Sequence, residues 1–292
     1  MSVSIQLLVS GLATGAIYAL VAIGFTLLWQ TSQTINFAQG EFVMLPAFFV
    51  LVAMKGLGLP FALACLIGVA ASMLVLGLLF KRIVVDPMLQ HGVLPMVVTT
   101  IAFSLLLKEA VKDFYSAQAQ PFPSLVPDRD IDIFGAVVSG QSLVVLAVAV
   151  ATVVALNLFL TRTRTGREMQ ATAQNPTVAL ILGVRVERMI LYTFLINAAL
   201  VAVASILISP IYLAKFTNGD TLGMAAFIAA IIGGFNQVRG AILGGFLLGV
   251  LENFGAAFIS TQYRNVVPLL LLVAVILVRP QGLLGRAEER TV

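Results

Sequence analysis

Long apolar runs recur along the whole of this chain, and they limit what it can become more than any other feature does. They are Val3–Trp29, Phe42–Met54, Leu59–Phe80, Gly92–Leu107, Gly140–Leu160, Met189–Ser209, Leu222–Phe235, Gly240–Phe258 and Val266–Val278. Crossing a hydrocarbon core of ~30 Å as a helix takes about 20 apolar residues, and the longer runs meet that length. Of 292 residues, 60% are hydrophobic and 10% charged, with a mean hydropathy of +1.05. A soluble domain of that balance has too little polar surface to cover itself. A membrane barrel would alternate apolar and polar residues in short segments, whereas these runs are continuous. The expected fold is all-α, a polytopic helical membrane protein with eight or nine spans. Several runs are too short to cross alone, and such segments are tolerated where neighbouring protein covers the backbone. One or two broken or re-entrant helices are therefore expected.

The charges lie between the runs, where they set orientation in a membrane. The loop Thr161–Arg188 carries Arg162, Arg164, Arg167, Arg185 and Arg188 against Glu168 and Glu187. It is the strongest cationic loop and reads as cytoplasmic, as do the Lys81–Arg82 loop and the tail with Arg279, Arg286 and Arg290. The stretch Lys108–Ser139 holds Asp113, Asp128, Asp130 and Asp132 with three prolines and reads as external. Alternation then puts the N-terminus outside and the C-terminus inside. The first cation is Lys55, so the opening run lacks the basic start of a secretory signal and reads as a retained span. The net charge of +4 comes from these loop arginines and is no signal of nucleic-acid binding. The chain reads as one transmembrane domain over residues 1–292, with the 161–188 loop inside it.

Catalytic motifs are missing. No stretch fits G-x-x-x-x-G-K-[ST], so the chain does not itself cradle nucleotide phosphates. One cysteine, Cys65, and one histidine, His91, make neither a metal cluster nor a catalytic pair. No metal site and no enzymatic activity are expected. What stands out is "QTINFAQGEF", residues 33–42, which sets Asn36, Gln39, Gly40 and Glu41 between two apolar runs. Hydrocarbon cannot satisfy such groups, so they either line a wet cavity or mark a span end among headgroups. The segment "FNQVRGAIL", residues 235–243, echoes it, with Asn236 and Gly240 spaced like Asn36 and Gly40. Internal repeats are common in transporters, though an echo this short is also what chance produces.

Two further segments carry information. In "GAILGGFLLG", Gly240 with Gly244 and Gly245 with Gly249 form small-x-x-x-small pairs that let helices approach closely, within the chain or between subunits. Glu252 follows on the same run and must face protein, water or the headgroup boundary. In "QNPTVALILGVR", Asn175 suits an N-cap, Pro176 the first helical position and Gly183 the residue past the end. The short helix between them is almost wholly apolar, yet lies in a cationic loop. It needs cover from the membrane surface, from the rest of the chain, or from another protein.

Three stretches in order, "GLATGAIYALVAIGFTLLW…INFAQGEFVM", "GREMQATAQNPTVALILGV" and "IIGGFNQVRGAILGGFLLGVLENF…VRPQGLLGR", resemble the LivH-type permeases of branched-chain amino-acid ABC importers. The likeness runs from about Gly11 to Arg286. The family usually has His where this chain has Gln39, and Arg where it has Gln170. The resemblance implies a permease subunit that forms half of a translocation path in a bacterial inner membrane. It implies a second permease, similar or identical, two separate ATP-binding subunits, and an external solute-binding protein. It places Asn36, Gln39, Gly40, Glu41, Asn236 and Gln237 near the path. It gives Arg167, Asn175, Pro176, Leu180, Leu182 and Gly183 to ATPase coupling. The rival reading is a stand-alone secondary transporter or channel for a small polar solute, for which Glu41, Glu252 and Asp220 are the candidate ionisable groups. A membrane-embedded enzyme would require a cluster of His, Cys or carboxylates at membrane depth, which is not found.

Overall fold

The computed structural model describes residues 2–89, 91–126, 130–133, 136–264 and 266–285. The expected positions Asp128, Arg286 and Arg290 lie outside them. The helices are α1 Ser2–Ser32, α2 Gln39–Leu57, α3 Phe61–Leu89, α4 Val93–Phe114, α5 Gly140–Arg162, α6 Arg164–Gln174, α7 Pro176–Ile181, α8 Val186–Tyr212, α9 Asn218–Gly233, α10 Val238–Phe258 and α11 Val266–Val278. Seven of them are long and apolar enough to cross a membrane, and α9 and α11 are shorter apolar helices. At 1.5 Å per residue α9 spans about 24 Å and α11 about 20 Å, less than the hydrocarbon thickness. Each of the nine apolar runs thus falls largely within one helix, and seven of these helices reach crossing length where eight or nine spans were expected. The stretch expected to be an external loop is not wholly irregular: β1 (Asp130–Ile133) and β2 (Ala136–Ser139) form an antiparallel hairpin pairing Asp130 with Ser139. Strands this short leave no periodic signal in the sequence.

Helices α1, α2, α8, α9 and α10 make the core. Two-thirds of the most apolar window of α1, α2 and α8 is buried, against 17% for α4 and 22% for α5, so those two form the rim. Phe80 of α3 ties the layers together: its ring lies 4.9 Å from Phe42 of α2, 4.9 Å from Phe103 of α4 and 6.2 Å from Phe194 of α8. A π-helical stretch just before it, Met73–Leu79, brings Gly77 against the Leu195 backbone of α8. Helix α2 runs on through Pro46, and the next N–H, that of Ala47, donates to Ser205 Oγ of α8 at 3.1 Å.

The most extensive seam is between α1 and α10. A Cβ added at Gly11 would stand 2.8 Å from Val250 Cα, and one at Gly15 would stand 2.8 Å from the Gly245 carbonyl. Gly249 in turn meets the Gly15 backbone. On the other face of α10, Gly240 and Gly244 meet the backbone of α9 at Gly233 and Ala229. All four glycines of the small-residue pairs therefore pack within this chain, one pair on each flank of α10.

Two helices begin inside the bundle. Gln39, the first residue of α2, bonds to Asn197 of α8, which stands about 16 Å from the start of that helix and about 22 Å from its end. Gly219, at the start of α9, lies against Gly40. From this common depth α2 runs toward the far end of α8, where Lys55 bonds Gln120, and Gln120 pairs its backbone with Ala214. Helix α9 runs the other way, toward α6. The chain reaches its start by turning back at Leu213, where φ is 64°.

Candidate functional site

The break after α1 lies at residues 33–38. Gln33, at φ 52°, takes a left-handed conformation that is uncommon outside glycine and ends the helix. The break thus lies three residues before the expected 36–41: Gln39, Gly40 and Glu41 are the first turn of α2. Asn36 explains the restart, since its Oδ1 accepts the Ala38 N–H at 3.0 Å. The Phe37 N–H reaches Thr100 Oγ1 of α4 at 3.3 Å, which anchors the break to the rim.

The polar groups at this depth are buried. Asn36 is 1% exposed and Gln39 fully covered, while Glu41 is 3% exposed. Gln39 and Asn197 exchange two hydrogen bonds, Nε2 to Oδ1 at 2.7 Å and Nδ2 to Oε1 at 3.0 Å. Gly24 of α1 leaves room for the pair, since a Cβ there would stand 2.5 Å from Gln39 Nε2. Asn36 Nδ2 has no partner among the described residues. Glu41 sits in the first turn of α2, where helix N–H dipoles favour negative charge. Ser104 neighbours its carboxylate, and Lys108 and Asp220 are the charges beyond it. Those two form an ion pair between α4 and the start of α9. Gly40 meets the Gly219 carbonyl and stands against Gly223, so the starts of α2 and α9 cross backbone to backbone.

Asn236 and Gln237 lie elsewhere, in the turn between α9 and α10. With Gln30, Gln33, Gln170 and Gln174 they line a cleft of about 960 Å³ at the α6 end of the bundle. Gln30 Nε2 closes one side by donating to the Asn236 carbonyl at 2.6 Å. The cleft is bounded by amides, and Arg239 is the charged residue among its lining. The echo between the two Asn…Gly segments holds in that both follow a helix break. It fails in packing, because α9 and α10 form a tight hairpin while α1 and α2 diverge.

Helices α6 and α7 close this end. Thr163 caps α6 by accepting the Gly166 N–H at 3.0 Å, and Asn175 caps α7 by accepting the Val178 N–H at 3.0 Å. Pro176 opens α7 and Gly183, at φ 85°, follows it. Arg167 is exposed on α6. Helix α7 turns only Ala179 inward; Leu180 is 63% and Leu182 75% exposed. Sequence reasoning missed Asn197, Lys108 and Gly219. Asn197 was detectable as a lone amide in an apolar run, whereas the other two depend on tertiary proximity.

A helical membrane bundle with two helices starting at its mid-depth, amides at that level and a polar cleft at one end has the build of a solute permease. The chain belongs to the family described as "Branched-chain amino acid transport system / permease component", which matches residues 7–276. It is 36% identical to the high-affinity branched-chain amino acid transport system permease protein BraD of Pseudomonas aeruginosa, over 99% of this chain and 98% of that protein. It is 31% identical to the permease protein LivH of the corresponding Escherichia coli system, over 99% and 97%. A probable LivH of Methanocaldococcus jannaschii is 26% identical over 91% and 88%. The structure of PsaBC from Streptococcus pneumoniae in complex with Fab aligns with a TM-score of 0.47 and 14% identity, over 96% of this chain and 91% of that one. At that distance the likeness bears on neither fold nor function.

Proposed function

We propose that this chain is the permease subunit of an ABC importer for branched-chain amino acids and forms half of its translocation path. Its place is a bacterial cytoplasmic membrane, with the N-terminus outside and α6 and α7 inside. A second permease, similar or identical, completes the path. Two separate ATPase subunits dock on α6 and α7, and an external binding protein delivers the solute. ATP binding shifts the pair between inward- and outward-facing states because it favours one of them.

The observation that carries this reading is α7. It is a capped helix with exposed Leu180, Ile181 and Leu182, set in a loop whose arginines mark the cytoplasmic side. An apolar surface of this kind in a charged loop fits a protein partner. The mid-depth crossing of α2 and α9 supports a path beside Asn36, Gln39, Gly40 and Glu41. The amide cleft around Asn236 and Gln237 supports its inner mouth.

The test is reconstitution of the chain with its co-purifying partners in proteoliposomes. Leucine uptake that requires internal ATP and the binding protein is the expected result. Uptake driven by an ion gradient alone, without partner chains, would establish a secondary transporter instead.

A further inference from the structure

A second cleft, of about 600 Å³, opens at the end of the bundle opposite α6 and α7, between α9 and the Glu252–Arg264 region. Its floor is built around a buried charge. Glu252 is 4% exposed and accepts the Tyr18 hydroxyl at 2.8 Å and Arg264 Nε. Arg264 Nη2 donates to Tyr212 Oη at 2.7 Å, and the guanidinium stands 5.7 Å from the centroid of that ring. Glu252 thus has its countercharge and holds Arg264 in place. Having accepted from Arg264, the Tyr212 hydroxyl keeps its own proton free to donate.

The lining is amphoteric. Lys215 is exposed, and its ammonium group has no ion-pair or hydrogen-bond partner among the described residues. Asp220 lies at the start of α9, paired with Lys108 on one side, with half of its side chain (51%) exposed. Thr217, Asn218 and Thr221 add polar groups, and Leu222, Met224, Ile228 and Leu269 make an apolar wall. Lys108 engages only Oδ2 of Asp220, so Oδ1 is open to a second cation. A cation alone would leave Lys215 unmatched, and a sugar would gain little from the apolar wall. The volume falls in the range of small-molecule sites, about 300–1,000 Å³.

We propose that this cleft is a transit site for a zwitterionic α-amino acid with an apolar side chain. Lys215 and the Tyr212 hydroxyl take the carboxylate, Asp220 takes the ammonium group, and the α9 wall takes the side chain. The identity of the solute rests on the proposed function; the amphoteric chemistry does not. A phosphatidylethanolamine headgroup presents the same pair of charges, so the test separates the two sources.

The experiment uses the assembled importer, without binding protein, in phosphatidylglycerol nanodiscs, which lack that headgroup. Met224→Cys on a Cys65→Ala background is labelled with a water-soluble maleimide, and Thr221→Cys serves where Met224→Cys fails to assemble. The expected result is that millimolar L-leucine slows labelling about tenfold, the effect of filling roughly nine-tenths of the sites. Isovalerate and isoamylamine, which carry one charge each, should not slow it. Lys215→Gln should remove the protection and leave labelling itself intact. No labelling, no protection by leucine, equal protection by the single-charge analogues, or protection seen only when phosphatidylethanolamine is present would each overturn the site. ATP-driven leucine uptake by the same complex is read separately. Uptake without protection removes the site and leaves the transport reading, and protection without uptake does the reverse.

Discussion

Gln39 and Asn197, both fully buried, satisfy each other. Replacing either one alone strands a buried amide, at a cost of about 1–3 kcal/mol. Gln39→Met and Asn197→Leu should each lower stability by that amount in a detergent unfolding titration. The double variant should lose less than the sum, because it removes both polar groups together. Additive losses would mean that the pair is not coupled. Gly40 is the harsher position. Its neighbour is the Gly219 carbonyl, a backbone atom that cannot rotate away. Gly40→Ala should therefore push α2 from α9 and abolish uptake, at roughly 1–3 kcal/mol of overpacking. Normal uptake by a well-expressed Gly40→Ala protein would count against a close crossing at mid-depth. At this scale the sequence marked the right residues for the wrong geometry. Polar side chains in "NFAQGE" suggested that the break ran through Glu41, yet Gln39 to Glu41 are helical, and the Asx turn in which Asn36 accepts the Ala38 N–H lies just ahead of them.

Among the elements, α7 is the one whose sequence and surroundings disagree most. Its caps fix it locally, and its leucines are left uncovered. Leu180→Asp with Leu182→Asp should leave this chain's own stability nearly unchanged, since both side chains are exposed. The same pair should bury two charges at an ATPase contact, at a cost of several kcal/mol. Co-purification with the ATPase subunits is the measurement, and undiminished binding would remove α7 from that interface. The apolar runs gave away where each membrane helix lies, because one long window of hydropathy is enough. They did not reveal that α2 and α9 start at one depth, since Gly40 and Gly219 are distant in sequence and only the fold brings them together. The hairpin of β1 and β2 stayed hidden for a different reason: four-residue strands carry too few alternations to register.

For the whole molecule, the useful division is between what is bolted together and what can slide. At mid-depth, Asn36, Gln39 and Glu41 are covered in this chain, so a path beside them must open by relative movement. Cysteines at 36, 39 and 41, on a Cys65→Ala background, should label with a soluble thiol reagent in one nucleotide state and not in the other. Protection at all three in every state would leave them as packing residues. The seam of α1 with α10 has the opposite character. Bare backbones touch from Gly11 to Gly249, and close-packed contacts of this kind have no intermediate setting. The two helices must then travel as one strut, a fixed ruler inside a moving machine. Spin labels at the exposed positions Ser4 and Phe258, on the same end of that strut, should report one unchanged separation through the whole ATP cycle. Every other distance in the permease is then best measured from them.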